Sequence, residues 1–300
     1  MKKILIIGGQ GYIGSSISNK LLPDYDVKTV DLNWHGNIIK TINTSLDFDL
    51  LEKAFLETFD IIVFLAGHSS VQMCNNDPCG AIQNNLTKFI NFLYKINGKK
   101  LIYASSSCVY NHIKNANENK DINCNDVYSF TKFSVDKFIL MNKLDIEYYG
   151  LRLGTVNGFS LNFRNDLMIN KMIHDSLATK KITVSNSQFF RPILSIEDLS
   201  EAIKKIIDTT EKNPGIYNLC SYNESIGQIA KTVASICGSE IIHEKNATTT
   251  FDFTMNCSKF NKKFNFKPSN NSTNIIVESI LSNYNKIMYN SKRELPGNYK

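Results

Sequence analysis

The chain has 300 residues, of which 42% are hydrophobic and 21% charged, an ordinary globular composition that excludes a disordered or collagen-like chain. A formal net charge of +6, from lysines spread along the sequence, suits a phosphate-bearing ligand better than a nucleic acid. Seven cysteines without a C-x-x-C pair predict reduced thiols in a cytoplasmic setting, the five scattered histidines offer no zinc spacing, and no apolar run reaches membrane-spanning length.

Residues 3 to 7 (Lys-Ile-Leu-Ile-Ile) predict a strand buried on both faces. The apolar run stops at Gly8, too short for a signal-peptide core. Gly8, Gly11 and Gly14 then form G-x-x-G-x-x-G, leading through Tyr12 and Ile13 into a helical pattern that Pro23 ends. Such a turn between strand and helix lets backbone amides approach a pyrophosphate at the helix N-terminus. A second strand, Asp26 to Val30, ends in Asp31, whose carboxylate suits an adenosine ribose and repels a 2′-phosphate; no Arg or Lys follows closely, so NAD is expected over NADP. Asp47 is expected to cap a helix carrying Leu51, Ala54 and Phe55. Strand Ile61–Ala66 leads into the loop from Gly67 to Val71, Pro78 opens a helix running through Asn85 and Leu93, and strand Lys100–Ala104 ends in Ser105-Ser106-Ser107-Cys108-Val109-Tyr110. Alternation of strand and helix to about residue 157 predicts an α/β doubly wound parallel sheet, with ligands beyond the carboxyl ends of its strands.

Next come Tyr128 and Lys132, four apart, in a segment whose Phe130, Phe133, Val135 and Phe138 have helical apolar spacing. An ammonium beside the phenol is expected to lower the Tyr128 pKa towards neutrality, making it a proton acceptor for a sugar hydroxyl. Farther on, Lys259, Lys262, Lys263 and Lys267 interleave with Phe260, Phe264 and Phe266, a pattern of a solvated face over an apolar one.

Taken in order, Gly8-x-x-Gly11-x-x-Gly14, Leu65-Ala66-Gly67, Asn85, Ser105–Tyr110 and Tyr128-x-x-x-Lys132 resemble the extended short-chain dehydrogenase/reductases, and within them the nucleotide-sugar epimerase/dehydratase family. Leu151–Gly158 is similar to that family's L-R-x-x-N-V-Y-G, Arg191–Asp198 to its R-x-x-x-x-V-x-D, and Tyr217-Asn218-Leu219 to the strand after it. The resemblance implies a Rossmann domain over residues 1–158, rejoined by about 192–220, and a smaller α/β substrate domain from 159–191 and 221–300. It implies NAD held by Gly8, Gly11, Tyr12, Ile13, Gly14, Asp31, Leu65, Ala66 and Gly67, with Lys132 on the nicotinamide ribose. Tyr128 would be the catalytic base, Ser106 the hydrogen bond to the reacting sugar oxygen, and Asn85 a structural residue of the cofactor site. A nucleotide-diphosphate sugar would meet Ser69, Ser106, Asp166, Asn170 and Arg191, the guanidinium on a phosphate. A homodimer through helices including 128–142 is likewise expected from the resemblance.

Several positions depart from the pattern. Thr44-Ser45 replaces the Asp-hydrophobic pair that meets adenine, Asn111 stands where glycine follows Val-Tyr, and Ser185-Asn186-Ser187 replaces a G-[DN]-G turn. Ser107-Cys108 replaces the acid pair of the 4,6-dehydratases, which argues against water elimination. The expected function is NAD-dependent epimerisation through a 4-keto sugar, first at C4. The alternatives are an NAD(P)H-dependent 4-keto-sugar reductase, a 3,5-epimerase/4-reductase resembling GDP-fucose synthase, and a non-catalytic dinucleotide sensor. Cys108 is open between packing and a proton-shuttling thiol titrating near neutrality, with Asp166 or His174 as its partner.

Overall fold

A computed structural model describes residues 1–244 and 250–291. Its first half alternates β1 (Lys3–Ile7), α1 (Tyr12–Leu21), β2 (Asp26–Asp31), β3 (Asn43–Ser45), α2 (Lys53–Glu57) and β4 (Ile61–Phe64). Helices α3 (Val71–Asn76), α4 (Pro78–Ile82) and α5 (Lys88–Leu93) then lead to β5 (Lys99–Ser106), α6 (Val127–Met141) and β6 (Ile146–Leu153). A π-helical turn over Gln83–Thr87 joins α4 to α5, so the helix expected from Pro78 to Leu93 is present with one widened turn. After these come β7 (Thr155–Asn157), β8 (Asn162–Arg164), α7 (Met168–Thr179), β9 (Lys181–Val184), β10 (Phe190–Ser195) and α8 (Ile196–Asp208). The remainder comprises β11 (Gly215–Leu219), β12 (Tyr222–Ser225), α9 (Ile226–Cys237), β13 (Glu240–His243), α10 (Ser258–Lys263), α11 (Thr273–Asn283) and β14 (Tyr289–Ser291).

Seven strands form one parallel sheet in the order β11-β6-β5-β4-β1-β2-β3. Both faces of the sheet are covered, and with period-two alternation this explains why β1 from Ile4 onward and all of β4 are apolar. Ile4, Ile6, Ile61 and Val63 enter the core under α1 and α8, whereas Leu5, Ile7, Ile62 and Phe64 enter the opposite core under α5 and α6. From β1 the chain winds outward to β2 and β3, then crosses back to β4 on the other side. The carboxyl ends of β1 and β4 therefore diverge, opening a crevice at the switch of winding direction.

A third core gathers Phe163, Ile169 and Ile173 with Ile226, Ile229, Val233, Ile276 and Ile280, from β8, α7, α9 and α11. By contrast, Phe260, Phe264 and Phe266 sink into the core beneath the main sheet, and Lys259 donates to the Ile216 carbonyl at 2.7 Å. The apolar side of that lysine-rich segment thus closes the β11 edge.

Two local expectations need correction. Asp47 caps a 3-10 turn, Phe48–Leu50, by accepting from the Asp49 amide, and α2 starts later, at Lys53. Phe130 is 48% exposed, while α6 buries Ser129, Thr131 and Asp136 beside Val135 and Ile139. The inner face of α6 is thus half polar, which apolar spacing alone does not predict. Asn111 has an ordinary φ of −47°, and His112 (φ 66°) makes the left-handed turn instead. In Ser185-Asn186-Ser187 it is Asn186, at φ 51°, that supplies the glycine-like conformation.

Candidate active site

A cleft of about 790 Å³ lies over the carboxyl ends of β1, β4 and β5, and the substrate-side elements wall it opposite. Gly8, Gly11, Tyr12, Ile13, Gly14, Asp31, Leu65, Ala66 and Gly67 line one end; Ser69, Ser106, Cys108, Tyr128, Lys132, Asp166 and Arg191 line the rest. Asn170 is not among the lining residues.

At the cofactor end the backbone is drawn tight. Gly8 has φ 84°, and a Cβ there would lie 2.6 Å from the Ala66 amide nitrogen; a Cβ on Gly14 would lie 2.1 Å from the Gly8 carbonyl. Helix α1 is therefore pressed onto the loop, and its N-cap, Gly11, has no side chain to occupy the helix N-terminus. Such a terminus attracts an anion. The Asp31 carboxylate is fixed by the Gln10 amide at 2.9 Å and the Asn33 amide at 2.7 Å. Gln10 in turn holds the following loop by accepting from the Ile38 and Ile39 amides. A pyrophosphate cradle with a rigid acid at the adenosine end fits NAD.

Tyr12 is fully enclosed. Its hydroxyl donates to the Gly158 carbonyl at 2.9 Å and receives the Asn170 amide at 3.3 Å; burial raises its pKa far above the usual phenol. Its backbone therefore belongs to the cofactor loop, while its side chain is a strut. Asn170 is corrected from a sugar-diphosphate contact to the partner of that strut: its amide also donates to the Arg164 carbonyl, its oxygen accepts from the Gly158 amide, and the side chain is 0% exposed.

Asn85 sits in the π-helical turn, where its oxygen accepts from the His68 amide at 2.7 Å and its amide donates to the His68 carbonyl and to Thr131. It pins the Gly67-His68 loop to α6. His68 is buried and bonded to Asp77, and desolvation lowers its pKa, so the imidazole is neutral at pH 7.

Beside Tyr128, Ser106 is close enough to favour the ionised phenol, and its Oγ accepts from the Cys108 amide at 3.2 Å. The Lys132 ammonium lies 5.9 Å from the Tyr128 ring centroid and donates to the Ala104 carbonyl at 3.0 Å. Burial raises the Tyr128 pKa, and the neighbouring Ser106 and Arg164 only partly oppose it. The expected lowering towards neutrality is thus overturned. Desolvation dominates, and it also pulls the Lys132 ammonium down to about 8. Cys108 is corrected in the same sense. Burial raises its thiol, Arg191 and Ser106 oppose that, and the side chain is a neutral thiol at pH 7 rather than one titrating near neutrality.

Arg191 is held by two long contacts of 3.5 Å, to the Phe251 carbonyl and the Thr155 hydroxyl, and lies beside the rings of Phe251 and Phe253. Its Nε is buried without a hydrogen-bond partner. A surface pair with Glu197 or Asp198 is not what forms: Glu197 bonds Ser195 and Ser279, and Asp198 bonds Ser221, Ser269 and Asn270. Asp166 takes a bidentate pair from Arg164, with N–O distances of 2.9 and 2.6 Å. Sequence reasoning missed Arg164, which lines the cleft and acts electrostatically on Tyr128. Its spacing two residues before Asp166 was the available signal. His174 bonds Tyr284 and does not line the cleft.

Comparison with known proteins agrees with this geometry. The description "NAD dependent epimerase/dehydratase family" matches residues 4–220. The chain belongs to that family. It is therefore an enzyme, and its cofactor is NAD. It is 30% identical to UDP-glucose 4-epimerase of Lactobacillus helveticus over 175 residues, 53% of each chain. It is 21% identical to UDP-glucose 4-epimerase of Mycoplasma pneumoniae over 312 residues, covering 89% of this chain and 92% of that one. Among solved structures it resembles UDP-N-acetylglucosamine 4-epimerase from Methanobrevibacter ruminantium M1, with a TM-score of 0.82, 19% identity, and coverage of 94% of this chain and 98% of that one. At that identity the likeness shows the extended short-chain dehydrogenase/reductase fold. No helix among the described residues is long and apolar enough to cross a membrane.

Proposed function

We propose that this enzyme is a nucleotide-sugar C4 epimerase that retains NAD and works through a 4-keto sugar. The observation that carries the reading is the corner where Ser106, Tyr128 and Lys132 meet in one cleft that also holds Arg191, a guanidinium without an ion-paired carboxylate among the described residues. The 4-epimerase relatives support placing the reaction at C4.

NAD, when bound, supplies a hydride acceptor and donor and a positively charged ring. Tyr128 accepts the C4 hydroxyl proton and returns it after the ketone has presented its other face. Ser106 donates to the sugar oxygen as the carbonyl forms, which orients C4 and polarises the bond. Lys132 holds the cofactor ribose and contributes the positive charge that makes ionised Tyr128 attainable despite burial. Arg191 receives the diphosphate, gaining the bidentate partner it lacks. Asp31 favours NAD over a 2′-phosphorylated cofactor, in keeping with an internal redox cycle.

We assign the cofactor domain to 1–158 with about 192–220, and the substrate domain to the remainder, because β11 extends the main sheet while α7, α9 and α11 share a core of their own. A homodimer through α6 accords with its exposed Phe130, Leu140 and Met141. The test is to incubate the purified enzyme with UDP-, GDP-, CDP- and dTDP-sugars and follow the sugar by NMR. Inversion at C4 without added cofactor is expected. Reduction that consumes stoichiometric NADPH, or much tighter binding of NADPH than NADH, would overturn the reading in favour of a reductase.

A further inference from the structure

We propose that Asp136 is a positioning residue for Lys132. Its carboxylate clamps the strand segment to which the lysine is bound and is the nearby counter-charge of the ammonium.

The geometry is a two-turn clasp between α6 and β5. Lys132 donates to the carbonyl of Ala104. One helical turn later, Asp136 accepts from the two residues that flank Ala104. These are the Tyr103 hydroxyl at 3.0 Å on one oxygen and the Ser105 hydroxyl at 3.0 Å on the other. Arg152 of β6 completes the carboxylate through Nε at 2.9 Å, and its other end donates to Tyr110, which donates to Asn218 of β11. The Ala104 carbonyl is thus fixed on both sides by a fully buried carboxylate, itself braced by two further strands. Ser106, which lines the cleft with Tyr128, lies one residue beyond this clamp.

Electrostatics point the same way. Lys132 is surrounded by Phe64, Asn85, Phe89, Tyr103 and Val135, none carrying a charge at neutral pH. Besides Asp136, the titratable groups near it are Cys74 of α3 and the Tyr128 ring on its own helix. Burial strips the ammonium of water; the carboxylate one turn away opposes that loss. Burial also pushes Asp136 upward; Arg152 and the two hydroxyl donors oppose that in part, and the Arg152 Nε at 2.9 Å gives the carboxylate a paired cation.

The proposal rests on Lys132 belonging to the cofactor site. Its test reads cofactor binding rather than turnover, so failure of the C4-epimerase reading leaves it standing. NADH affinity of the whole enzyme is measured by fluorescence from pH 6 to 9.5. In wild type the affinity should fall as pH rises through about 8, where Lys132 loses its proton. Lys132→Met should remove that break. In Asp136→Asn the ammonium is less favoured, so the break should move down by about half a unit or more, and Asp136→Glu should restore it at least in part. Should Asp136→Asn leave Arg152 too exposed to fold, Asp136→Asn/Arg152→Met removes both buried charges, a replacement that cores often tolerate. Its break should also lie below that of wild type. A break at the wild-type pH in a variant lacking the carboxylate, or one that persists in Lys132→Met, overturns the proposal. A purely structural Asp136 would lower Tm and leave the break in place.

Discussion

Two inward-facing arginines, Arg152 and Arg191, sit in the same protein under opposite conditions. Arg152 is 3% exposed, and both ends of its guanidinium are spent, one on Asp136 and the other on Tyr110. Arg191 has weak contacts, an unpartnered Nε and two aromatic rings for walls. Asp252 acts on it only at a distance, being bonded to Lys114 and to the Phe190 amide. A buried charge that is fully paired holds a structure together; one left unpaired costs stability until a ligand completes it. The first region is thus a finished framework, and the second keeps hydrogen-bonding capacity to spare.

Substitutions can break this contrast, the most damaging first. Tyr128 shares α6 with Asp136 and the cleft with Arg191, and Tyr128→Phe is expected to lower turnover by roughly 10²- to 10⁴-fold with little change in Tm. A large fall in Tm at preserved turnover would instead place Tyr128 with the framework. Arg152→Met strands the Asp136 carboxylate and should cost about 3–5 kcal/mol in urea unfolding. Arg191→Met is expected to do the reverse to the fold. Removing a desolvated, unpaired cation should raise Tm, by roughly 2–4 °C per kcal/mol regained. The KM for the nucleotide sugar should rise roughly 10- to 100-fold from the lost charged hydrogen bonds. Equal destabilisation by the two arginine variants, measured side by side, would abolish the distinction drawn above. The smallest effect is assigned to Cys108→Ser. Because the thiol is held neutral, C4 inversion should continue nearly unchanged, and wild type in deuterated water should show no exchange at C3 or C5 by NMR. Exchange that disappears in the variant would make Cys108 an acid/base after all.

Much of the site was legible because its residues are set by local rules. A strand, a glycine turn and a helix start occupy adjacent positions, and Tyr128 and Lys132 share one helix face. Arg191 was legible through its motif. Other roles were hidden by distance in the chain. The sequence around Asn170 gives no sign that its amide belongs to Tyr12, 158 residues earlier. Asp136 reads as an ordinary helix charge until β5 and β6 surround it, and the Arg164–Asp166 pair is a local match whose approach to Tyr128 is tertiary. The Tyr128 pKa failed for a different reason. The helix spacing predicted a neighbour, but the balance between that neighbour and burial is set by the whole cleft.

The Tyr12 strut has a consequence for how the chain is made. A nascent chain that has emerged only to residue 150 already contains the glycine loop, Asp31, Ser106, Tyr128 and Lys132. It lacks the Gly158 carbonyl and the Asn170 amide that lock Tyr12, and it lacks β11, which finishes the main sheet beyond β6. Synthesis from the N-terminus therefore lays down nearly every chemical group of the site before it can fix their positions. The Tyr12 anchor of the cofactor loop forms only after the opposing wall of the cleft has been translated, so the two halves mature together.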